Sequence, residues 1–516
     1  MLASVNVFLL TPMIALGCMI CYRRSSRSRH GLPLPPGPKP LPLIGNILDI
    51  DSEQPWLTYS AWRKKYGPIV YCQLLGQDVV IINSSKVARQ LLDQRSSTYS
   101  GRPTTCTSKL FGIDFATAFL PYGPQWRIHR RMFRQAMKLE TVELYQNLYR
   151  SKAMKLIQSL LDSPDDFESH IQLYIISITM AFTYGYETDS LDAPLVKSLA
   201  EFVKLLNDGL PPERNAMLTA FPFLANIPSW FPGATFKRDA LRSRELSLRS
   251  LDGPFEYVRK SMESGSFAKS MVSDLLDKLD GTGERASQEK AIKECAATVY
   301  IAGYDSSAAT LLAFLMAMML YPEAQRRAQA EIDSVLADDV LPDFSHRKSL
   351  PYVEAVLRET MRWHSVAPLA LPHMTCCDDV FEGYFIPKGT MILPNVWEIH
   401  HEESEYPEPY VFNPDRYLSE DGTVIDGDPL TSRVAFGFGR RHCPGKWVAD
   451  SILWMGIVSI LAVFRIDKGK DGTGREIEVE PKFTAGVIRR PLPYSCSIIC
   501  RSASREDVVR SFEEGE

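Results

Sequence analysis

In the stretch FGFGRRHCPG, Phe436–Gly445, the residue able to do chemistry is Cys443. No second Cys or His lies two to four residues away as a chelating partner, which excludes the usual zinc ligand sets. A lone cysteine is more often a small buried hydrophobe than a ligand. Its neighbours point the other way. Gly437, Gly439 and Gly445 let the backbone turn tightly and approach something bulky, and Pro444 removes an amide donor directly after the sulfur. Phe436 and Phe438 would keep water from the sulfur. Burial alone raises a thiol pKa, so a thiolate here needs a metal or a cation. A cysteine thiolate as the only protein ligand points to heme iron, where its electron donation favours O–O cleavage.

Three further patterns carry polar groups at helical spacing. Glu359 and Arg362 stand at i,i+3 in VEAVLRETMRW, as do Glu256–Arg259 and Glu323–Arg326, so the spacing alone describes a solvated surface pair. The segment AGYDSS, Ala302–Ser307, lies in the middle of the longest apolar helical stretch. A mid-helix Gly can serve packing alone, and a serine can bond back to the carbonyl one turn earlier. Asp305 in such surroundings is costly without a partner or a task. In WRIHR, Trp126 and Arg130 stand at i,i+4 and could simply stack.

The spacing Phe436-x-x-Gly439-x-Arg441-x-Cys443-x-Gly445 resembles the heme-binding signature of the cytochromes P-450, the heme-thiolate monooxygenases. The resemblance implies that Cys443 is the axial ligand to the iron of heme b (iron protoporphyrin IX). It places Phe436 and Gly437 beside the cofactor and turns Arg441 toward a heme propionate. Trp126 and Arg130 carry over as a propionate-binding pair, and His373, in LPH, as a further propionate ligand. Glu359 and Arg362 would be locked to Arg416 of FNPDRY in a buried structural network. The family's small-Gly-x-acid-Thr pattern falls on Asp305 and Ser306, which would organise proton delivery. Ser306 stands where threonine is usual, and it lacks the methyl that restricts the rotamer. The resemblance runs over essentially the whole chain. It implies insertion of one oxygen atom from O2 into a C–H or C=C bond. Two other readings stay open: a heme-thiolate isomerase or dehydratase that needs no reductase, and a non-catalytic heme sensor.

The elements that would position these residues read as mainly helical with a minor β portion, and the resemblance implies one large cytochrome P-450 domain. The chain has 516 residues, 45% hydrophobic and 23% charged, with net charge −4 and no long basic block, so nucleic acid is not expected as a partner. Ten scattered cysteines fit reduced thiols in a cytosolic setting. Residues 1–22 carry no charge and are about long enough to span a bilayer. Arg23, Arg24, Arg27 and Arg29 follow directly and favour the cytosolic side. Residues 1–22 are therefore expected to be a single-pass anchor in the endoplasmic reticulum membrane, 23–46 a basic and proline-rich hinge, and 47–516 a cytosolic catalytic domain. The sequon at Asn83 would then stay unmodified. Helices are expected over Gln125–Leu161 and Glu289–Leu320, and again to Leu336 and over Val353–Trp363. PIVYCQLL and QDVVIIN read as a hairpin around Gly76, and 384–394 as a strand pair around PKG.

The expected electron donor is an NADPH-dependent flavoprotein reductase, with cytochrome b5 as a second candidate. Arg433, Arg440 and Lys446 would form its basic docking patch around the cysteine loop. The pocket is expected from segments 103–120, 207–235, the residues before Gly303, Val366–Leu371 and Thr484–Ile488. The 207–235 stretch, rich in Phe, Trp and Pro, reads as a lid on the membrane. YSGRP and PGPKPLPLIGN are similar to fungal members that tailor secondary metabolites, which implies a lipophilic terpenoid, polyketide or aromatic-alkaloid substrate.

Overall fold

The computed structural model describes residues 31–209, 217–218, 221–231, 234–279, 285–425 and 434–512. The expected anchor 1–22, the arginines at 23, 24, 27 and 29, Arg433 and part of 207–235 lie outside them. The longer helices, in chain order, are α1 (Pro55–Tyr66), α2 (Pro124–Ala136), α3 (Gln146–Asp162), α4 (Phe167–Tyr184), α5 (Pro194–Gly209), α6 (Thr235–Glu263), α7 (Arg285–Leu320), α8 (Pro322–Val335), α9 (Pro351–Trp363), α10 (Lys446–Val463) and α11 (Ala503–Ser511). Helices α1, α2, α8 and α9 each open on proline, whose fixed φ suits the first helical position and whose missing N–H costs nothing there.

Helix α7 is the axis of the molecule. From Ser307 to Met319 every residue is buried, and so is every residue of α10 from Ile452 to Val463. A helix that is apolar all round belongs in a core. Both helices are long and apolar enough to cross a membrane, yet most of each is covered by the fold, with α4 and α9 packed beside them. The expected helix over Gln125–Leu161 is instead three pieces, Pro124–Ala136, Leu139–Glu143 and Gln146–Asp162. Lys138 leaves helical geometry (φ −71°, ψ 157°), and the amphipathic period runs on across the break.

The β portion has three small sheets. Strands β1 (Ile69–Leu74) and β2 (Gln77–Ile82) form the expected hairpin, turning on Leu75 (φ 48°) and Gly76 (φ 86°). Strands β3 (His373–Met374), β4 (Asp379–Phe381), β5 (Tyr384–Ile386) and β6 (Met391–Pro394) follow. The expected strand pair within 384–394 does not form. β5 pairs with β4, whereas β6 runs parallel to β2 and antiparallel to β3. The PKG turn hands the chain from one sheet to another, a long-range choice that the local pattern does not contain. The third sheet pairs β7 (Phe464–Lys468) with β8 (Cys496–Cys500).

The proline-rich stretch lies against the first two sheets: Phe385 N–H donates to the Pro33 carbonyl at 2.8 Å and Tyr71 N–H to the Pro36 carbonyl at 2.9 Å. Asn83 is fully buried and accepts a hydrogen bond from Asn395, so the folded chain hides the sequon on either side of a membrane. The eight described cysteines are all free.

Candidate functional site

The cysteine loop is built by two left-handed glycines and one hydrogen bond. Gly437 (φ 80°) and Gly439 (φ 51°) take conformations that side chains resist. A Cβ on Gly439 would also run into the Leu92 carbonyl, and its N–H donates to Asp93 at 2.6 Å. Cys443 N–H donates to the Phe436 carbonyl at 2.8 Å and closes the loop. Gly445 differs from the other two: its φ is −88° and it caps α10. Its contribution is an N–H directed at the Cys443 sulfur. Burial pushes the Cys443 thiol up, while that N–H, Arg130 and Lys446 pull it back. The amino terminus of α10, just beyond, also favours negative charge. A thiolate here still needs a cation. Among the described residues no three His, Cys, Asp or Glu side chains converge on a metal position, so Cys443 would ligate alone.

Three arginines gather beside this loop. Arg130 donates to the His442 carbonyl at 2.7 Å, and Arg441 donates to the carbonyls of Ser100 and Leu120, both at 2.8 Å. Trp126 lies under both, 4.8 Å from the Arg441 guanidinium and 5.8 Å from that of Arg130. Arg102 is the third, bonded to the carbonyls of Ala118, Leu371 and Pro372. Burial and the neighbouring Arg441 push Arg102 down to about 9, and burial and Arg130 push Arg441 down to about 10. Burial also lowers Arg130. Among the described residues none of the three is paired with a carboxylate. Half-buried like charges gathered without a counter-ion call for compensation. The two propionates of a heme would supply it, and the residues present fit the group. His373, buried, donates from Nδ1 to the Tyr99 carbonyl at 2.8 Å. Burial and Arg102 hold it well below the usual imidazole range, so it stays a neutral ring.

On α7, Ala302 is exposed in the middle of a buried helix, and Val299, Gly303 and Ser306 are half-buried. This spacing is one helix face, and the fold leaves it uncovered. A Cβ on Gly303 would meet nothing nearer than Thr179 Oγ1 at 3.9 Å, so packing does not require the glycine. Ser306 Oγ donates to the Ala302 carbonyl at 2.8 Å. Asp305 points elsewhere: it accepts from Asn207 of α5 at 2.7 Å and forms an ion pair with Arg490. Burial raises its carboxyl against the pull of Arg490 and Asn207. The structure therefore gives Asp305 and Ser306 separate partners.

The Glu359–Arg362 pair is fully buried, with two bonds of 2.7 Å between the two side chains. Arg416 stands 3.5 Å from Glu359, Asn413 N–H donates to it at 2.8 Å, and Arg362 reaches the His400 and Pro409 carbonyls. Glu256–Arg259 and Glu323–Arg326, with the same spacing, are exposed pairs. Of the expected basic patch, Arg440 bonds the Tyr122 hydroxyl and Lys446 lies over the Trp447 ring.

Sequence reasoning missed Arg102, Asn207, Arg490 and the buried His129. Arg102 sits in YSGRP and His129 in WRIHR, each next to residues that were legible. Asn207 and Arg490 carry no local signal.

The cytochrome P450 family model matches residues 35–498. A cytochrome P450 monooxygenase of Coprinopsis cinerea is 37% identical over 92% of this chain and 92% of its own length. One from Ampulloclitocybe clavipes is 37% identical, covering 99% of this chain and 94% of its own. The tryptamine 4-monooxygenase of Psilocybe cyanescens is 36% identical over 98% and 99%.

Proposed function

The chain belongs to the cytochrome P450 family and is a monooxygenase of it, and from that premise we propose that it oxidises a lipophilic intermediate of fungal secondary metabolism. The family implies a heme-thiolate cofactor and a redox partner that delivers electrons for the use of O2. We take the cofactor to be heme b and the donor to be an NADPH-dependent flavoprotein reductase, with cytochrome b5 as an alternative. The observation that carries the reading is Cys443 in its loop, beside three half-buried arginines that pair with no carboxylate among the described residues.

When bound, the heme supplies the reduction of O2 and the oxidation of the substrate. The chain supplies the rest. Cys443 would hold the iron, and Arg102, Arg130, Arg441 and neutral His373 would hold the propionates. Phe436 and Phe438 would keep water from the sulfur, and Phe436 and Gly437 would lie beside the cofactor. Ser306 keeps a proton on Oγ at the Ala302 carbonyl, and a χ1 rotation would free it for the uncovered face of α7. Asp305 would have to release Arg490 or Asn207 before it could pass a proton on. An apolar cluster of Phe111, Ile113 and Ala116 with Phe202 and Leu206 of α5, against which Ile301 of α7 packs, suits a lipophilic substrate.

Trp230 (78% exposed) and Phe231 (50%) suit contact with a membrane, in keeping with an anchor at 1–22 and an endoplasmic reticulum location with a cytosolic catalytic domain. Arg440 and Lys446 suit a reductase, since complementary charge raises on-rates. The test is reconstitution with a flavoprotein reductase, NADPH, 18O-labelled O2 and a panel of terpenoid, polyketide and indole intermediates. One labelled atom per product is expected. Product without label, or without NADPH, would favour an isomerase or dehydratase instead.

A further inference from the structure

The loop of residues 116–120 provides three of the carbonyls that hold Arg102 and Arg441, beside those of Ser100, Leu371 and Pro372. Thr117 and Leu120 carbonyls accept from Arg441 at 3.4 and 2.8 Å, and the Ala118 carbonyl accepts from Arg102 at 3.0 Å. A loop that aims two half-buried cations must itself be held, because each guanidinium follows its carbonyls.

One side chain does most of the holding. His129, wholly buried on α2, bonds Thr117 Oγ1 through Nδ1 at 2.8 Å and Glu294 Oε2 of α7 through Nε2 at 3.1 Å. A carboxylate can only accept, so Nε2 carries the proton, and the Thr117 hydroxyl can donate to Nδ1. Glu294 also accepts from Gln125 at 3.0 Å. A second tie runs parallel to the first: Thr298 Oγ1 accepts from Thr117 N–H at 3.3 Å and donates to the Glu294 carbonyl at 2.7 Å. Thr117, His129, Glu294 and Thr298 are all buried. Such fully bonded buried networks are rigid, and losing one member leaves the others unsatisfied.

We propose that the Thr117–His129–Glu294 chain is a positioning device: it clamps the 116–120 loop to α7 and so sets Arg102 and Arg441 against the heme propionates. The His129 side chain and the Thr117 hydroxyl bond neither guanidinium group; they act through the loop carbonyls, that of Thr117 among them. The inference rests on the reading of Arg441 as a propionate partner, and the test separates the two.

Holoenzyme is prepared for the parent chain and for Thr117→Val, Thr117→Ser, His129→Phe and Arg441→Gln. Two quantities are read: the rate of heme transfer to an apo-globin acceptor and the midpoint potential of the bound heme. Groups that hold a ligand-binding side chain in place typically cost about 10- to 100-fold in affinity when removed. Thr117→Val and His129→Phe are expected to speed heme loss by about tenfold or more and to lower the potential, in the direction of Arg441→Gln. Positive charge at the propionates favours the reduced heme, so its displacement lowers the potential. Thr117→Ser keeps the hydroxyl and is expected to match the parent. A packing role alone would lower melting temperature and leave the potential of the loaded protein unmoved, which would overturn the proposal. The proposal is equally overturned if Arg441→Gln shifts both readouts while the two loop variants do not. If Arg441→Gln itself behaves as the parent, the propionate reading fails and the clamp proposal falls with it. Thr117→Val is nearly isosteric and keeps the test open should His129→Phe fail to fold.

Discussion

Ser306 Oγ donates to the Ala302 carbonyl, and the neighbouring Asp305 is held by Asn207 and Arg490. On the proposed reading the Ser306 hydroxyl would donate the proton, and Asp305 would take part only after leaving its ion pair. Ser306→Ala is therefore expected to keep heme and substrate binding while diverting electrons into hydrogen peroxide. Ser306→Thr should be tolerated, because it keeps the hydroxyl. Measuring peroxide and product per NADPH checks this, and unchanged coupling in Ser306→Ala would place the relay elsewhere. What was legible at this scale was local. Cys443 and Arg441 are two residues apart, Trp126 and Arg130 one helical turn apart, and spacing of that kind survives in sequence. Asn207 lies 98 residues from Asp305, so its role as the carboxylate's partner appears only when α5 is laid across α7.

Helix α9 gives up one face to the Glu359–Arg362 pair, and the pair holds α9 to the segments around His400, Pro409 and Asn413. Glu359→Gln would leave Arg362 and Arg416 without their carboxylate, at a cost of about 3–5 kcal/mol. The expected result is a marked loss of heme-loaded protein, read as the Soret-to-protein absorbance ratio, together with a lower melting temperature. Glu323→Gln breaks an exposed pair of the same spacing and should cost less than about 1 kcal/mol. Equal effects of the two substitutions would contradict the assignment. The helices themselves were legible because α7 and α9 repeat their apolar residues at helical period. The break at Lys138 was not, since the period continues through it. Nor was the partnership of β6 with β2: the Met391–Pro394 strand says nothing about a hairpin some three hundred residues earlier.

At the scale of the whole molecule, burial sets the pH response. His364 and His401 are both pushed down from 6.5 to about 3, chiefly by burial. The unfolded chain takes up these protons below pH 6.5 and the folded chain does not. Their stabilisation is therefore full above pH 6.5 and lost progressively as pH falls toward 3. At pH 5 the loss is about 2 kcal/mol for each histidine. Denaturant midpoints at pH 7 and pH 5 should show this decline, and His364→Phe should make it shallower; an unchanged slope would count against it. The single-domain, mainly helical architecture was legible because one long apolar helix and one ligand loop imply a core large enough to enclose a cofactor. The three-arginine cluster was legible only in part, because Arg102 joins it through the fold. Everything in the functional reading converges on the sulfur of Cys443, and the most direct measurement is the reduced carbon monoxide difference spectrum of Cys443→Ser. The thiolate-type band should disappear while the protein remains folded, with NADPH-driven turnover lost alongside it. A band unchanged from the parent would mean that another residue ligates the iron.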